Sequence, residues 1–314
     1  MMEATPRRAL VTGAAGFAGT VLTRFLRERG WEVRCTDQGA LEERADWFAC
    51  NVGDREQVEG MVAWAGPVTH VFHLAALTFV PEASHDPSRA FAVNLLGTVY
   101  LAEAVTRHAA SARFVYVSTS EVYGPPQSLP ITESHPLSPS NPYAISKAAA
   151  DLYCGYLAHT GLDVVRVRPF NHTGPGQTDR FVLPGFARQI AQIEAGKKPA
   201  VLHVGNLESS RDFTHVNDVV RAYETLALSG HSGEAYNVCS GCPVLIRDAL
   251  DRLLALSSAD IRVDPDPQRM RPVDVACTWG SYEKLAAHTA WRPEIPFEQL
   301  LADLLDYWRK REAR

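Results

Sequence analysis

The sequence predicts an α/β protein with a doubly wound parallel sheet and a smaller C-terminal lobe. Short apolar runs of strand length alternate with amphipathic helical patterns through the first half of the chain, which is typical of parallel βαβ crossovers. From about Pro169 this alternation gives way to a Gly/Pro-rich segment and shorter elements. We therefore expect one domain over residues 1–168 and a second lobe over residues 169–314, with segments within 212–239 that can return to the main sheet.

Each element follows from its own residue pattern. β-branched and apolar runs predict strands, which lie at 9–12, 32–36, 47–50, 70–74, 113–117 and 163–168. Amphipathic stretches between the strands predict helices, at 19–29, 55–65, 87–108 and 143–159. Short elements are expected near 201–204 and 235–239. This order of strands and helices predicts a Rossmann fold.

Composition excludes several classes of protein. With 46% hydrophobic and 21% charged residues, the 314-residue chain is not intrinsically disordered. Its net charge of -5 and the lack of a basic run argue against nucleic acid as a partner. Six dispersed cysteines do not form a secreted disulfide framework, and no apolar stretch reaches the roughly 18 residues of a membrane span. We expect a cytoplasmic protein without a membrane partner.

A glycine-rich loop with the sequence GAAGFAG covers residues 13–19, between the first strand and the first helix. Glycines at such a junction let backbone N–H groups approach a pyrophosphate at the positive end of the helix. The alternative is a turn that only packs the strand against the helix. The position at the first strand–helix junction favours dinucleotide binding.

Asp37 ends the second predicted strand, about 18 residues after the loop. A carboxylate at this spacing accepts hydrogen bonds from both hydroxyls of an adenosine ribose and repels a 2′-phosphate. This favours NAD(H), with NADP(H) as the alternative. Asp37 could instead serve a turn or a helix cap, and the nearby Arg34 would weaken the discrimination.

Tyr143 and Lys147 are four residues apart at the start of a predicted helix, so their side chains share one face. An ammonium group beside a phenol lowers the phenol pKa, which suits proton exchange with a carbonyl or hydroxyl. Such a pair is also common on ordinary helix surfaces.

Thr119 and Glu121 follow the fifth strand, at the sheet edge where ligands bind. We expect Thr119 to bind the reacting oxygen, and Glu121 to contact a sugar or move a proton.

Together these segments resemble the extended short-chain dehydrogenase/reductase family, in the branch that modifies nucleotide sugars. The resemblance spans nearly the whole chain, through TGAAGFAG, HLAA, FAVNLLGT, STSEVYG, YAISK, RPFNHTGPGQ and RDFTHVNDVVRAY. It implies a catalytic set made of Thr119, Tyr143, Lys147 and Glu121. The cofactor contacts that we expect come from Gly13, Gly16, Phe17, Ala18, Gly19, Asp37, Asn51, Val52, Leu74, Ala75, Ala76, Asn94, Ser118, Tyr143, Lys147 and Pro169. The substrate contacts that we expect come from Thr78, Glu121, Asn171, His172, Val182, Arg211 and Arg271.

Within that branch, FNHTGPGQ and VGNLESSRDFTHV are most similar to GDP-6-deoxy-4-keto-D-mannose reductases, which make GDP-D-rhamnose. They are also similar to GDP-mannose 4,6-dehydratases. The resemblance implies reduction of a GDP-linked 4-keto sugar, with the dinucleotide on residues 1–168 and the nucleotide sugar mainly on residues 169–314. Asp37 and Glu121 fit the alternative, a redox-neutral 4,6-dehydratase or 4-epimerase with tightly bound NAD. A dinucleotide sensor without catalysis is a third interpretation.

Two further expectations concern partners and metals. The predicted helices at 87–108 and 143–159 carry more apolar surface than one sheet face needs, and the family commonly pairs them in a four-helix bundle. We therefore expect a homodimer. Cys239 and Cys242 form a single CxxC pair without the further ligands of a zinc site, so we expect no metal.

Overall fold

The computed structural model describes residues 6–39, 44–269 and 275–313. The strands in these ranges are β1 (Arg8–Thr12), β2 (Glu32–Asp37), β3 (Trp47–Ala49), β4 (His70–His73), β5 (Arg113–Val117), β6 (Val164–Pro169), β7 (Asn171–Thr173), β8 (Val201–Val204), β9 (Ser210–His215), β10 (Ala235–Val238), β11 (Pro243–Leu245), β12 (Arg262–Pro265) and β13 (Cys277–Thr278). The helices are α1 (Phe17–Glu28), α2 (Arg55–Ala65), α3 (Val80–His85), α4 (Pro87–Phe91), α5 (Gly97–His108), α6 (Pro142–His159), α7 (Val182–Glu194), α8 (Val216–Ser229), α9 (Ile246–Ala255), α10 (Glu283–Thr289) and α11 (Phe297–Glu312).

The main sheet has seven parallel strands in the order β10-β6-β5-β4-β1-β2-β3. This confirms the predicted doubly wound parallel sheet, and each strand predicted in the first half lies within one residue of its expected bounds. The strand order reverses between β1 and β4, and ligands of open α/β sheets bind at the carboxyl edge beside such a reversal. β10 comes from late in the chain and pairs along β6.

Helices cover both faces of the main sheet. Leu22 of α1 and Tyr223 of α8 belong to the core on one face, together with Val11 of β1. Leu10, the neighbour of Val11, points to the opposite face and packs into the core of α2, α5 and α6. Strands that are buried on both faces need apolar residues at successive positions, which explains their continuous apolar runs.

The smaller lobe has its own core, where α7, α9 and α11 pack against β8 and β9. Ile190, Leu250 and Leu304 are buried there, one from each helix. Strand β9 lies between β11 and β13 and also pairs with β7 in parallel. Among the described residues, no helix combines the length and the apolar character that crossing a bilayer would require.

The helix predicted over 87–108 is not continuous. It is divided into α4, a π-helical turn at Ala92–Leu96, and α5. Asn94 lies in this π turn, and its amide is bound by two other segments of the chain rather than by solvent. π turns inside helices are frequent at functional sites, and the hydrophobic pattern could not reveal this one because the pattern continues through it.

Candidate active site

The glycine loop packs its backbone closely against itself and against the Leu74–Ala75 segment, which excludes side chains at Gly13 and Gly19. Gly13 has φ = +71°, and a Cβ atom on it would lie 2.7 Å from the Ala75 nitrogen. A Cβ atom on Gly19 would lie 2.0 Å from the Gly13 carbonyl oxygen. Gly16 is the N-cap of α1 and has no side chain that could accept hydrogen bonds. The first backbone N–H groups of α1, from Phe17 onward, therefore have no capping side chain. These residues therefore fit the pyrophosphate of a dinucleotide.

A buried polar network supports the segment opposite this loop. The Thr12 hydroxyl lies 2.7 Å from Nδ1 of His73 and accepts a hydrogen bond from the Ala75 N–H at 3.2 Å. Nε2 of His73 lies 3.0 Å from the Thr98 hydroxyl. Burial lowers the pKa of His73 to about 3, so its ring is neutral. The network fixes the start of the Leu74–Ala76 segment, and sequence reasoning missed it although a histidine inside an apolar strand is a visible signal.

Asn94 connects the same region to α6. Its Oδ1 accepts a hydrogen bond from the Leu77 N–H at 2.8 Å, and its Nδ2 donates to the Leu77 carbonyl at 3.2 Å. The same Nδ2 donates to the Ser146 hydroxyl at 2.9 Å. The side chain therefore positions the residues after Ala76, and a direct contact with the cofactor stays a prediction.

Asp37 faces the glycine loop. Its Oδ2 accepts a hydrogen bond from the Ala15 N–H at 3.1 Å, and its Oδ1 accepts one from the Gln38 N–H at 2.7 Å. Arg34 points elsewhere, because its guanidinium lies 5.3 Å from the ring centre of Trp64 on α2. The expectation that Arg34 would meet a 2′-phosphate is therefore not supported by its position.

Asn51 and Val52 follow β3 and shape the next turn. Oδ1 of Asn51 accepts a hydrogen bond from the Gly53 N–H at 3.1 Å. Val52 is buried, and a Cβ atom on Gly97 would lie 3.0 Å from its Cγ2. The turn after β3 is thus held by Gly53 and by the start of α5, and a contact of Asn51 or Val52 with the cofactor stays a prediction.

Tyr143 lies in the first turn of α6, where Asn141 caps the helix by accepting a hydrogen bond from the Ala144 N–H at 2.9 Å. Nδ2 of Asn141 also donates to Glu121 at 3.3 Å, which ties this cap to the turn after β5. Only 8% of Tyr143 is exposed. Thr119 is buried, and Ser118 is buried beside it at the end of β5.

The protonation state of Tyr143 differs from the expectation. Burial raises the pKa of Tyr143 to about 12, the Thr119 hydroxyl opposes this rise, and the charge of Glu121 adds to it. The prediction that Lys147 lowers the pKa of this phenol below its usual value was therefore wrong. Tyr143 is protonated at neutral pH, which is the form that a general acid requires.

Lys147 lies one turn after Tyr143 and is also buried. Its ammonium donates a hydrogen bond to the Val117 carbonyl at 2.6 Å and lies 4.3 Å from the ring centre of Tyr116. Burial lowers the pKa of Lys147 to about 8, and the negative charge of Asp151 opposes this shift. Lys147 is therefore a fixed cation at neutral pH whose charge is lost at moderately alkaline pH.

The substrate residues predicted from the sequence come from several segments. Thr78 and Asn171 are exposed, and Val182 is 39% exposed at the start of α7. The Arg211 guanidinium donates hydrogen bonds to the carbonyls of Ser210 and Val275, at 2.8 and 2.7 Å. Arg271 lies outside the described residues.

His172 links the smaller lobe to the glycine loop. Its ring lies parallel to the Phe17 ring, with centroids 6.1 Å apart, and its Nδ1 is 3.0 Å from the Phe170 carbonyl oxygen. Burial lowers the pKa of His172. Pro169, at the end of β6, is buried and pairs with Val238 of β10. A cavity of about 260 Å³ is bordered by the glycine loop and by the segment after β7. Its lining includes Gly16, Phe17, Pro175 and Gly176.

The described part of the chain contains no group of three or more His, Cys, Asp or Glu side chains that could hold a metal ion. Cys239 is buried whereas Cys242 is exposed, so the two do not form an exposed pair.

Comparison with protein families identifies the chain. The model of the family described as GDP-mannose 4,6 dehydratase matches residues 10–304. The chain belongs to this family. A GDP-6-deoxy-D-mannose reductase from Pseudomonas aeruginosa is 38% identical over 97% of this chain and 98% of that protein. The predicted resemblance to such reductases is thus confirmed.

Solved structures agree with membership in the GDP-mannose 4,6-dehydratase family. The structure of RMD from Pseudomonas aeruginosa complexed with NADPH matches with a TM-score of 0.88 and 36% identity, over 97% of this chain and 99% of that one. A UDP-glucose 4-epimerase from Thermus thermophilus in complex with NAD matches with a TM-score of 0.85 and 32% identity, over 96% and 99%. Such matches support binding of NAD(P) and leave the choice between the two forms open.

Proposed function

We propose that this protein is a reductase that converts the C4 keto group of GDP-4-keto-6-deoxy-D-mannose to the alcohol of GDP-D-rhamnose with NAD(P)H. One observation carries the proposal. A buried phenol that is protonated at neutral pH, Tyr143, lies in one site with Thr119 and Lys147. The 38% identity to a GDP-6-deoxy-D-mannose reductase over nearly the whole chain supports the sugar and the direction of the reaction.

Each side chain has a role in this reduction. A nicotinamide dinucleotide supplies the hydride when it is bound. Thr119 donates a hydrogen bond to the C4 oxygen, and Tyr143 gives its phenolic proton to the alkoxide that forms at this oxygen. Lys147 binds the ribose of the cofactor, and its positive charge stabilises the phenolate that Tyr143 becomes. Glu121, which is exposed, contacts the sugar.

We assign the ligands to the two parts of the fold. The dinucleotide lies on residues 1–168, with its pyrophosphate at the glycine loop and its adenosine ribose at Asp37. The nucleotide sugar lies mainly on residues 169–314, where Arg211 contacts its diphosphate. The packing of His172 on Phe17 supports this arrangement, because it joins the proposed sugar side to the proposed cofactor side.

We propose that NAD(H) binds more tightly than NADP(H). The carboxylate of Asp37 is held at the glycine loop by the Ala15 N–H, so a 2′-phosphate on the adjacent ribose would approach a fixed negative charge. The position of Arg34 against Trp64 supports the same preference, because no compensation by this guanidinium is expected. The match to a structure complexed with NADPH argues for the opposite preference. The dissociation constants of NAD(H) and NADP(H) therefore decide between the two.

A cofactor-consumption assay tests the reaction. We expect the pure protein to oxidise NADH or NADPH when the GDP-linked 4-keto sugar is added, with one equivalent of GDP-6-deoxyhexose formed per cofactor. The redox-neutral alternative predicts tightly bound NAD and conversion of GDP-mannose without added NAD(P)H. Glu121 next to the Asn141 cap favours that alternative, because a dehydratase needs such a carboxylate. Turnover of GDP-mannose without added cofactor would therefore overturn the proposal.

We also propose that the protein forms a homodimer through α5 and α6. Ile145, Leu152 and Tyr156 of α6 are 42%, 61% and 59% exposed, and their spacing places them along one side of the helix. Leu96, just before α5, is 42% exposed. A second copy that covers these side chains would complete a four-helix bundle.

The described cysteines are all free, which supports a cytoplasmic location.

A further inference from the structure

A buried ion pair lies one turn beyond Lys147 on α6. Asp151 is completely buried, and Arg168 binds both of its carboxylate oxygens. Nη2 of Arg168 donates to Oδ1 at 2.7 Å, and Nε donates to Oδ2 at 3.0 Å. Arg166 adds a hydrogen bond from its Nη1 to Oδ1 at 3.0 Å. A two-point guanidinium–carboxylate contact fixes orientation as well as distance.

The contacts continue beyond Arg168 as a chain of buried polar groups. Nη1 of Arg168 donates to the Tyr123 hydroxyl at 3.0 Å, and this hydroxyl donates to Oδ1 of Asn237 at 2.7 Å. Nδ2 of Asn237 donates to the Ile131 carbonyl at 3.0 Å. The chain therefore connects α6 with β6, with the turn after Thr119 and with β10.

Two of the segments that this ion pair joins, α6 and the turn after Thr119, adjoin or carry the proposed reacting groups, and the third, β6, ends at the predicted cofactor contact Pro169. Asp151 shares one face of α6 with Tyr143 and Lys147, at successive intervals of four residues. Arg168 directly precedes Pro169 at the end of β6. Tyr123 ends the short turn that begins directly after Thr119.

A buried ion pair contributes little net stability, because desolvation of both charges offsets their attraction. An apolar pair of the same size would serve packing equally well. What the ion pair adds is a fixed relative position of the segments that it joins. In this site a displacement of about 1 Å between Thr119 and Tyr143 would lower the rate strongly.

We propose that Asp151 is a positioning residue for the reduction. Through Arg168 it fixes α6 against the end of β6 and the Thr119 turn, and it provides a negative charge one turn from Lys147. The inference rests on the function proposed above for Thr119, Tyr143 and Lys147.

The charged and titratable groups that face Lys147 come from three elements. Asp151 and Cys154 lie on its own helix, Tyr116 lies on β5, and His73 lies on β4. Of these, His73 is neutral and Asp151 is the ionised carboxylate. Its charge raises the pKa of Lys147 and so opposes the effect of burial. Loss of this charge therefore makes Lys147 lose its proton at lower pH.

The substitution Asp151→Asn tests the inference. We expect kcat at neutral pH to fall by about tenfold or more, because the two-point contact with Arg168 is lost. We also expect the alkaline limb of the kcat profile to move to lower pH. The matched control is Glu224→Gln, which changes a buried carboxylate on α8 that pairs with Arg29 at 2.6 Å, on elements that do not carry the reacting groups. This control should keep the kcat and the pH profile of the unmodified protein. An Asp151→Asn protein that matches it in both would overturn the proposal.

A second variant covers the case in which Asp151→Asn does not fold. Arg168→Lys keeps both charges but cannot make the two-point contact. We expect kcat to fall by about tenfold while the alkaline limb stays in place, because the charge next to Lys147 remains. Unchanged kcat in a folded Arg168→Lys protein would overturn the positioning role.

Measurements of cofactor binding without the sugar test this inference separately from the proposed function. If the unmodified protein does not reduce the sugar, the proposed function fails, yet NADH and NADPH titrations followed by fluorescence remain informative. The pH at which the dissociation constant rises should move to lower values in Asp151→Asn and stay unchanged in Glu224→Gln. The same pH in both variants would overturn the proposed charge effect.

Discussion

The Lys147 ammonium donates a hydrogen bond to the Val117 carbonyl oxygen at 2.6 Å. The contact ties the helix with Tyr143 to the last residue of β5, directly before Ser118 and Thr119. The hydrogen bond fixes the position of the Lys147 ammonium. It does not neutralise the positive charge, because a carbonyl group is a dipole without net charge. Burial of this charge lowers the pKa of Lys147 to about 8 although the nearby Asp151 carboxylate opposes the shift, and the catalytic consequences follow from that value.

The first prediction concerns pH. Lys147 is protonated below its pKa of about 8 and loses its charge as the pH rises through this value, whereas Tyr143, with a pKa of about 12, keeps its proton. We expect kcat for the reduction to be constant near neutral pH and to fall on the alkaline side with one apparent pKa near that of Lys147. Initial rates at saturating sugar and cofactor measure this. A flat profile up to about pH 10 would contradict the role of the Lys147 charge.

The second prediction concerns the proton donor. Tyr143→Phe keeps the ring and removes only the hydroxyl, so the cofactor should still bind while kcat falls by at least about 100-fold. Tyr153→Phe on the same helix is the control, because Tyr153 packs beside Tyr156 and has no proposed part in the reaction. The measurement is single-turnover oxidation of NAD(P)H. Turnover of Tyr143→Phe at the rate of the control would remove Tyr143 from the mechanism.

The third prediction concerns the choice of cofactor. NAD(H) should bind at least about tenfold more tightly than NADP(H), which corresponds to about 1.4 kcal/mol. Asp37→Asn should reduce this ratio because the repulsion of a 2′-phosphate disappears. Asp46→Asn, which removes a carboxylate that pairs with Arg27 at 2.6 Å, should leave the ratio unchanged. Dissociation constants for both cofactors decide the matter, and an unchanged ratio in Asp37→Asn would show that Asp37 serves only the turn.

The fourth prediction concerns the oligomer. Leu152→Glu introduces a charge at the most exposed of the apolar α6 residues, and this should convert a dimer at micromolar concentration to a monomer. Leu256→Glu is the control, because Leu256 is 44% exposed at the end of α9, which has no part in the proposed interface. Sedimentation or light scattering gives the mass. A monomeric unmodified protein, or a Leu152→Glu dimer, would refute the interface.

The main sheet could be predicted because its signals are local. Each strand of the first half is a short apolar run, and each helix between strands has its own periodicity. The break at Ala92–Leu96 could not be predicted, since it depends on hydrogen bonds from Asn94 to Leu77 and Ser146, which are distant in the sequence. The pairing of β7 with β9 is likewise a contact between separated segments.

The helix that carries Tyr143 and Lys147 could be predicted from the sequence, but the electrostatics of these side chains could not. The spacing of Tyr143 and Lys147 correctly placed both on one helix face. It could not give the depth of burial, and burial is the main cause that raises the pKa of Tyr143. Asp151 continues the same spacing by one more turn. Its role could not be predicted, because the sequence does not show that its carboxylate pairs with Arg168 in the core.

The position of β10 decides how this chain can be divided. β10 and α8 follow residue 168 in sequence, yet they complete the sheet and the core that contain β6 and α1. A fragment that stopped at residue 168 would leave the backbone of β6 unpaired on one side and the apolar face of α1 uncovered. The two lobes are thus interleaved along the polypeptide, and neither is a module that evolution or an engineer can transplant by a single cut.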